Sequence, residues 1–479
     1  MQFNTYLFVL LFLPVTVGLY FLAGKRSHRA ALGVLMLASL VFYSDSGLPC
    51  MALLLLSLTA NGLLSFLMGK HRSRSKIFLT VGIVFNVFLL LYFKYANFFL
   101  DNFNLLTGAS FHLEHLVLPL GISFFTFQQI SFLIYTHENQ EENWNLFEYL
   151  LYILYFPKLI MGPLAEPKEL ISQFRDPSIG KPNWDHLMDG LCMFSLGLFK
   201  KVVLADLLVK AVDFGFGDLA ARSSLELWIL MLTYTLQIYF DFSGYTDMAI
   251  GISRMLNIRL PLNFNSPYQA VSVGDFWKRW HMSLTGFFRS HLYFPLGGSR
   301  CGRGKTYRNI MIIFLVSGLW HGANWTFLLW GFLYGLLQIF ERMLGKKLDR
   351  IPKLLRWSVT FLIVNLLWLL FRSPSVSLWL QALGRMFSFG STKLSPAFLA
   401  CFQPLEVEAV FGMIHSLEAY AWVVMAGMLL CSLGLCLFAK NNQKRAFQRT
   451  VPALLLQTVV FLYAIMSMGG ETSFVYFGF

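Results

Sequence analysis

Apolar runs long enough to cross a lipid bilayer recur along the whole chain, and they constrain its fold more than any single motif. About 20 consecutive apolar residues span the hydrocarbon core as a helix. Backbone inside lipid must satisfy its own hydrogen bonds, and a helix does so within one segment. By that rule the chain reads as an all-α polytopic membrane protein with about eleven spans, in one domain over residues 1–479. The early runs are Tyr6–Ala23, Ala31–Tyr43, Met51–Met68 and Ile77–Phe93. The middle ones are Leu116–Tyr135, Leu146–Leu164, Leu187–Phe214 and Leu225–Ile252. The late ones are Asn309–Phe340, Leu355–Phe371, Ala419–Phe438 and Val451–Met468.

Composition agrees with this reading. Only 13% of the residues are charged and 56% are hydrophobic. A soluble domain carries about 25% charged residues, so most of this surface does not face water. The 49 phenylalanines suit lipid-facing helices and their interfaces.

The net charge of +13 sits in short basic runs between the apolar segments. That pattern marks cytoplasmic loops and contact with lipid headgroups, not a nucleic-acid surface. A pocket for an anionic donor is the other use for such charge. Lys25, Arg26 and Arg29 follow the first run, which has no basic residue before it and no small-residue cleavage site. The first run therefore reads as a retained helix with the N-terminus outside. Lys70 to Lys76 and Lys440 to Arg449 also read as inside.

Asn309–Phe340 is unusual because both flanks are basic. Seven Lys and Arg residues and no acid lie between Phe276 and Arg308, and Arg342, Lys346, Lys347 and Arg350 follow. With both ends inside, the segment must enter and return, yet it is too short for two spans of about 20 residues each. A re-entrant segment turning near Trp320-His321-Gly322 fits, because irregular backbone is tolerated where protein or a water-filled cavity surrounds it. One long tilted helix is the alternative. The stretch Phe276–Phe294 mixes Lys278, Arg279 and His281 with Trp277, Trp280 and Phe287, and reads as an amphipathic interfacial helix.

Polar groups inside apolar segments are the candidate chemistry. His321 is first, since an ionisable residue at membrane depth is costly. A desolvated imidazole stays neutral and suits a general base; a core histidine bonded to a neighbouring helix is the alternative. Gly318 and Gly322 would let a substrate approach the backbone. His281 could share proton transfer or be satisfied by headgroups or Ser283. Asp241 and Asp247 flank Ser243-Gly244, which looks like a helix break, and Arg279 or Lys278 are their expected partners. Lys158 and Lys200-Lys201 are expected to snorkel.

Other chemistries are excluded. No CxxC pair and no zinc-type cluster exists, so no metal site is expected. No G-x-S-x-G elbow is present. Ser299 to Thr306 lacks the first glycine of a phosphate-binding loop and follows no strand.

Four segments together resemble the membrane-bound O-acyltransferase (MBOAT) family, in its bacterial polysaccharide-acetylating branch. They are Gly121 to Ile130, Asp241-Phe-Ser-Gly-Tyr-Thr-Asp247, Phe276-Trp-Lys-Arg-Trp-His281 and Trp320-His-Gly-Ala-Asn-Trp325. The likeness extends to the aromatic ending Phe474 to Phe479, while Tyr135-Thr-His137 departs from the family's usual stretch. The resemblance implies a funnel-shaped bundle in the bacterial inner membrane, with His321 and His281 catalytic. It implies no bound cofactor, acetyl-CoA as the cytoplasmic donor, and a hydroxyl acceptor on an exopolysaccharide or cell-wall polymer such as alginate. Donor or substrate contacts are expected at Asn324, Trp320, Lys278, Arg279, Arg300, Arg303, Asp241 and Gln128. The expected partners are an extracytoplasmic SGNH-type acetyltransferase or a polymer-synthesis complex, and membrane lipid. A transporter or flippase with an intramembrane His/Asp relay is the rival reading, and a scaffold for polymer export is a third.

Overall fold

A computed structural model describes residues 1–113, 118–388, 390–404, 420–439, 441–444, 447, 450–469 and 474. The start of the expected span Leu116–Tyr135, the first residue of Ala419–Phe438, half of the basic loop Lys440 to Arg449 and the ending beyond Phe474 lie outside the described residues. Among the described residues the chain is helical and contains no strand. Six helices are long and apolar enough to cross a membrane: Leu7–Gly24, Leu48–Lys70, Arg72–Thr107, Trp325–Arg350, Lys353–Arg372 and Ala421–Phe438. His28–Ser44 and Val451–Met466 are apolar but shorter. Large apolar side chains such as Leu10, Leu22, Phe66, Phe88 and Leu456 stand fully outward on these helices, which suits contact with lipid.

The described chain forms two compact units. One comprises residues 1–196, 245–262 and 446–458; the other comprises 197–244, 263–445 and 459–479. Each is assembled from separate stretches, so no linker composition marks a boundary.

In the first unit, polar side chains hold the helices together. Asn86 Nδ2 donates to Asn61 Oδ1 at 2.6 Å, which joins Leu48–Lys70 to Ser75–Leu90. The Tyr149 hydroxyl lies 2.9 Å from both Gln129 Oε1 and the Leu58 carbonyl, and its one proton bonds to either acceptor. Such bonds act as glue where lipid supplies no hydrophobic drive between helices. Gly62 makes room: a Cβ there would lie 3.0 Å from the Tyr149 ring.

The expected span Leu146–Leu164 is not one helix. It divides into Leu146–Leu154 and the short turn Phe156–Leu159, with the backbone extended at Tyr155 (ψ 103°). Nine helical residues rise only about 13 Å, and Pro157 cannot extend the hydrogen-bond ladder. Lys158 does not snorkel. It is fully buried, donates to Gln128 Oε1 and lies 4.1 Å from the Tyr152 ring centroid.

In the second unit, the break expected at Ser243-Gly244 is absent. One helix runs without interruption over Ser224–Met255, continuing past that pair. Gly244 instead permits close approach, since a Cβ on it would sit 2.8 Å from the Gly197 carbonyl. The apolar run after Leu187 loosens into a π-type turn at Lys200–Ala205. That turn brings Lys201 Nζ within 2.8 Å of both Asp206 Oδ1 and Asp241 Oδ1. Lys201 is buried rather than snorkelling, and it replaces Arg279 and Lys278 as the partner of Asp241.

Asn309–Phe340 forms a helical hairpin, with arms Arg303–His321 and Trp325–Leu344. The turn falls at residues 322–324, where the sequence places it. The arms are longer than expected because Arg303, Lys305 and Arg308 belong to the start of the helix and not to the loop. At about 1.5 Å per residue each arm is close to 30 Å long. The glycines serve packing between the arms and are not open to a substrate. A Cβ on Gly318 would lie 2.4 Å from the Phe327 carbonyl, and one on Gly322 would lie 2.0 Å from the Phe327 ring.

Candidate active site

His321 ends the first hairpin arm, where the last turn leaves carbonyls without helical donors. Its Nδ1 lies 2.6 Å from the Ser317 carbonyl. A carbonyl only accepts, so Nδ1 carries the proton and, in the neutral ring, Nε2 presents a lone pair. The surroundings are aromatic. The rings of Trp320, Trp330 and Phe371 lie 4.9, 5.1 and 5.3 Å from the imidazole. His321 is 3% exposed, so its ring is enclosed by protein.

His281 is not part of one amphipathic helix as the sequence suggests. It sits at a sharp kink between Val273–Trp277 and Met282–Phe288, with φ 45° and ψ 53°. A side chain in this left-handed region costs about 1 kcal/mol or more and persists only where the surroundings impose it. Asn263 imposes it here. Its carbonyl accepts from Met282 N at 2.9 Å, and its Oδ1 accepts from Ser283 Oγ at 2.6 Å. The same Oδ1 lies 3.3 Å from His281 Nδ1. Glu341, on the second arm, accepts from the backbone N–H groups of Val273 and Gly274 and so pins the approach to this kink.

Trp320 joins the two histidines: its ring lies 6.1 Å from that of His281 and 4.9 Å from that of His321. Phe242 packs edge-on against His281 at 4.8 Å, which ties the long helix 224–255 to the site next to Asp241.

The remaining sequence candidates take different positions. Asn324 caps the second arm, accepting from Thr326 N at 3.1 Å, and donates from Nδ2 to the Pro374 carbonyl at 3.0 Å. Arg279 pairs with Asp275 at 2.8 Å and donates to the Asn265 carbonyl. Lys278, Arg300 and Arg303 are exposed. Asp241 is engaged by Lys201, and Gln128 belongs to the first unit with Lys158. Asn263, Ser317, Phe242, Trp330 and Phe371 were not singled out from the sequence. Only Asn263, an amide between apolar residues after Pro261, carries a local signal.

The pattern of the MBOAT, membrane-bound O-acyltransferase family matches residues 37–380. The chain is 35% identical to a peptidoglycan O-acetyltransferase of Helicobacter pylori, over its whole length and 97% of the relative. It is 38% identical to a probable alginate O-acetylase AlgI of Pseudomonas aeruginosa, over 82% of this chain and 76% of that one. A teichoic acid D-alanyltransferase of Streptococcus thermophilus is 29% identical over 48% of this chain and 58% of its own. A multi-pass membrane enzyme of the O-acyltransferase class, the chain belongs to the MBOAT family.

Proposed function

We propose that this protein moves an acetyl group from a cytoplasmic thioester, acetyl-CoA, to a hydroxyl of an extracytoplasmic polymer. The observation that carries the reading is the Nδ1–H bond of His321 to the Ser317 carbonyl, which leaves Nε2 as an acceptor inside an aromatic enclosure. His321 Nε2 takes the hydroxyl proton as the oxygen attacks the thioester carbonyl. The C–S bond then breaks, and the thiolate leaves with the proton that His321 returns. His281 lies across Trp320, suitably placed to orient the thioester carbonyl.

The relatives named for acetylation act on peptidoglycan and alginate, which makes an exopolysaccharide or a wall polymer the acceptor class. Basic flanks on both ends of the hairpin support a cytoplasmic location for those ends. The exposed Lys278, Arg300 and Arg303 there suit the phosphates of the donor. The N-terminus then lies outside. A secreted SGNH-type acetyltransferase or a polymer-synthesis complex completes delivery, and lipid surrounds the helices.

Inverted membrane vesicles supplied with acetyl-labelled acetyl-CoA test this reading. Label should reach polymer or partner with the wild type and not with His321→Ala. Equal labelling by both, or labelling that needs a different acyl donor, would overturn it.

A further inference from the structure

A second concave site lies in the second unit, away from the histidines. It is a cavity of about 630 Å³ between the start of helix Ser224–Met255 and the segment that follows helix Val376–Ser388. Arg222, Arg385 and Lys393 line it, together with five serines. Among the described lining residues Glu226 carries the one carboxylate. That carboxylate is already engaged by neutral donors. Its Oε1 accepts from Ser395 N at 2.9 Å and Ser395 Oγ at 2.6 Å, and its Oε2 accepts from Ser223 N at 3.0 Å. Three cations thus face the cavity against one carboxylate, a net excess of two positive charges, and Arg385 and Lys393 are exposed.

The cavity is built, not incidental. Ser224 N donates to the Ser391 carbonyl at 2.9 Å, and Ser224 Oγ and Trp228 Nε1 both donate to the Met386 carbonyl at 3.1 Å. These bonds fasten Met386 and Ser391 to the helix start. They also fix the spacing between Arg222 on one wall and Arg385 and Lys393 on the other.

Its location bears on the reaction. Helix Lys353–Arg372 begins beside the basic run Lys346 to Arg350 and ends at the active site, where Phe371 packs on His321 and Pro374 accepts from Asn324. If that basic run is cytoplasmic, the far end of the helix is outside. Val376–Ser388 follows at once, and its 13 residues are too few to recross the bilayer. About 14 Å of helix separates Val376 from Arg385.

We propose that this cavity is an extracytoplasmic subsite for a carboxylate-bearing saccharide segment of the acceptor polymer. The proposal rests on the direction of transfer proposed above. The volume falls in the range of small-ligand pockets, roughly 300–1,000 Å³. A docking protein would use a broader surface, about 800 Å² on each side. Guanidinium and ammonium groups match carboxylates, and serine hydroxyls match sugar hydroxyls.

The test uses the full chain in nanodiscs of uncharged phosphatidylcholine, with an oligouronate hexamer and a neutral cello-oligosaccharide as probes. The oligouronate should bind the wild type and weaken at least tenfold in the double variant Arg385→Gln/Lys393→Gln, while the neutral probe should not bind. Arg385→Lys should recover most of the binding, and raised salt should weaken it. Equal oligouronate binding by wild type and double variant overturns the proposal. So does loss of binding in phosphatidylglycerol nanodiscs together with tighter lipid retention by the wild type, which would make the cavity a headgroup seat. His321→Ala should still bind the oligouronate while losing acetyl transfer, so failure of the subsite and failure of the catalytic reading are separable. Ser391→Cys should react with an impermeant maleimide from outside the cell; reaction only from the cytoplasmic face overturns the placement.

Discussion

Asn61 and His281 are both fully buried polar residues in an apolar chain, yet their surroundings differ in kind. In the first unit, the amides of Asn61 and Asn86 bond each other and also the Ser57 and Gly82 carbonyls, all within regular helices. Nothing there is strained. In the second unit, the two histidines stand among rings, one at a helix end and one on left-handed backbone. The first pattern is what a fold needs to hold helices together in lipid. The second costs stability locally, and such a cost persists where reactive groups must be aimed. Burial of a polar residue does not by itself separate the two; the backbone beneath it does.

The largest effect that would sharpen this contrast is expected at His321. His321→Ala should lower acetyl transfer about a thousandfold when assayed well below the unfolding midpoint, far more than the roughly 2–4 kcal/mol of stability lost to the cavity explains. A large drop in stability with modest loss of transfer would reverse the contrast and make His321 a structural residue. Next comes Asp241. Asp241→Ala takes from buried Lys201 one of the two carboxylates 2.8 Å from its Nζ, and removing one partner of a buried pair costs roughly 3–5 kcal/mol. Thermal or denaturant unfolding should record that loss. Asp241→Ala with wild-type stability and no transfer would move Asp241 into the reaction itself.

Much of this was legible in the sequence, and the failures share a cause. The turn at His321 could be read from charge, because basic flanks on both sides require a return. The lengths of the hairpin arms could not, since Arg303, Lys305 and Arg308 look like loop residues until the helix start is seen. Leu146–Leu164 has the composition of a span, but composition does not register that the chain turns at Tyr155 before Pro157. Ser243-Gly244 has the composition of a break, but the glycine is spent on close approach to Gly197. The pairing of Lys201 with Asp241 and the grip of Asn263 on His281 join residues 40 and 18 positions apart. Periodicity and spacing carry no information about such pairs.

Asn263 is where the strained site meets ordinary hydrogen bonding. Asn263→Ala removes the acceptor for Ser283 and the neighbour of His281 Nδ1, and should cost about 1–3 kcal/mol. Because it releases the kink, transfer should fall about tenfold more than stability loss explains, through a lower kcat with the KM for acetyl-CoA little changed. His281→Ala alone and the double variant test the route: if Asn263 acts through His281, the double variant should be no slower than His281→Ala. Additive losses would show that Asn263 works elsewhere.

The smallest expected effect probes the other side of the contrast. Asn61→Leu keeps the approximate volume and deletes the bonds to Asn86 and Ser57. Polar contacts between membrane helices average about 0.6 kcal/mol in double-mutant cycles, because the unfolded helices find other partners in the bilayer. The unfolding free energy should therefore fall by about that amount, and transfer measured below the midpoint should equal the wild type. The double variant Asn61→Leu/Asn86→Leu should cost less than the sum of the single changes, since both remove the Asn61–Asn86 bonds. A tenfold loss of transfer in Asn61→Leu at unchanged stability would give this regular polar ladder a part in the chemistry, and regular backbone would then no longer distinguish scaffold from site.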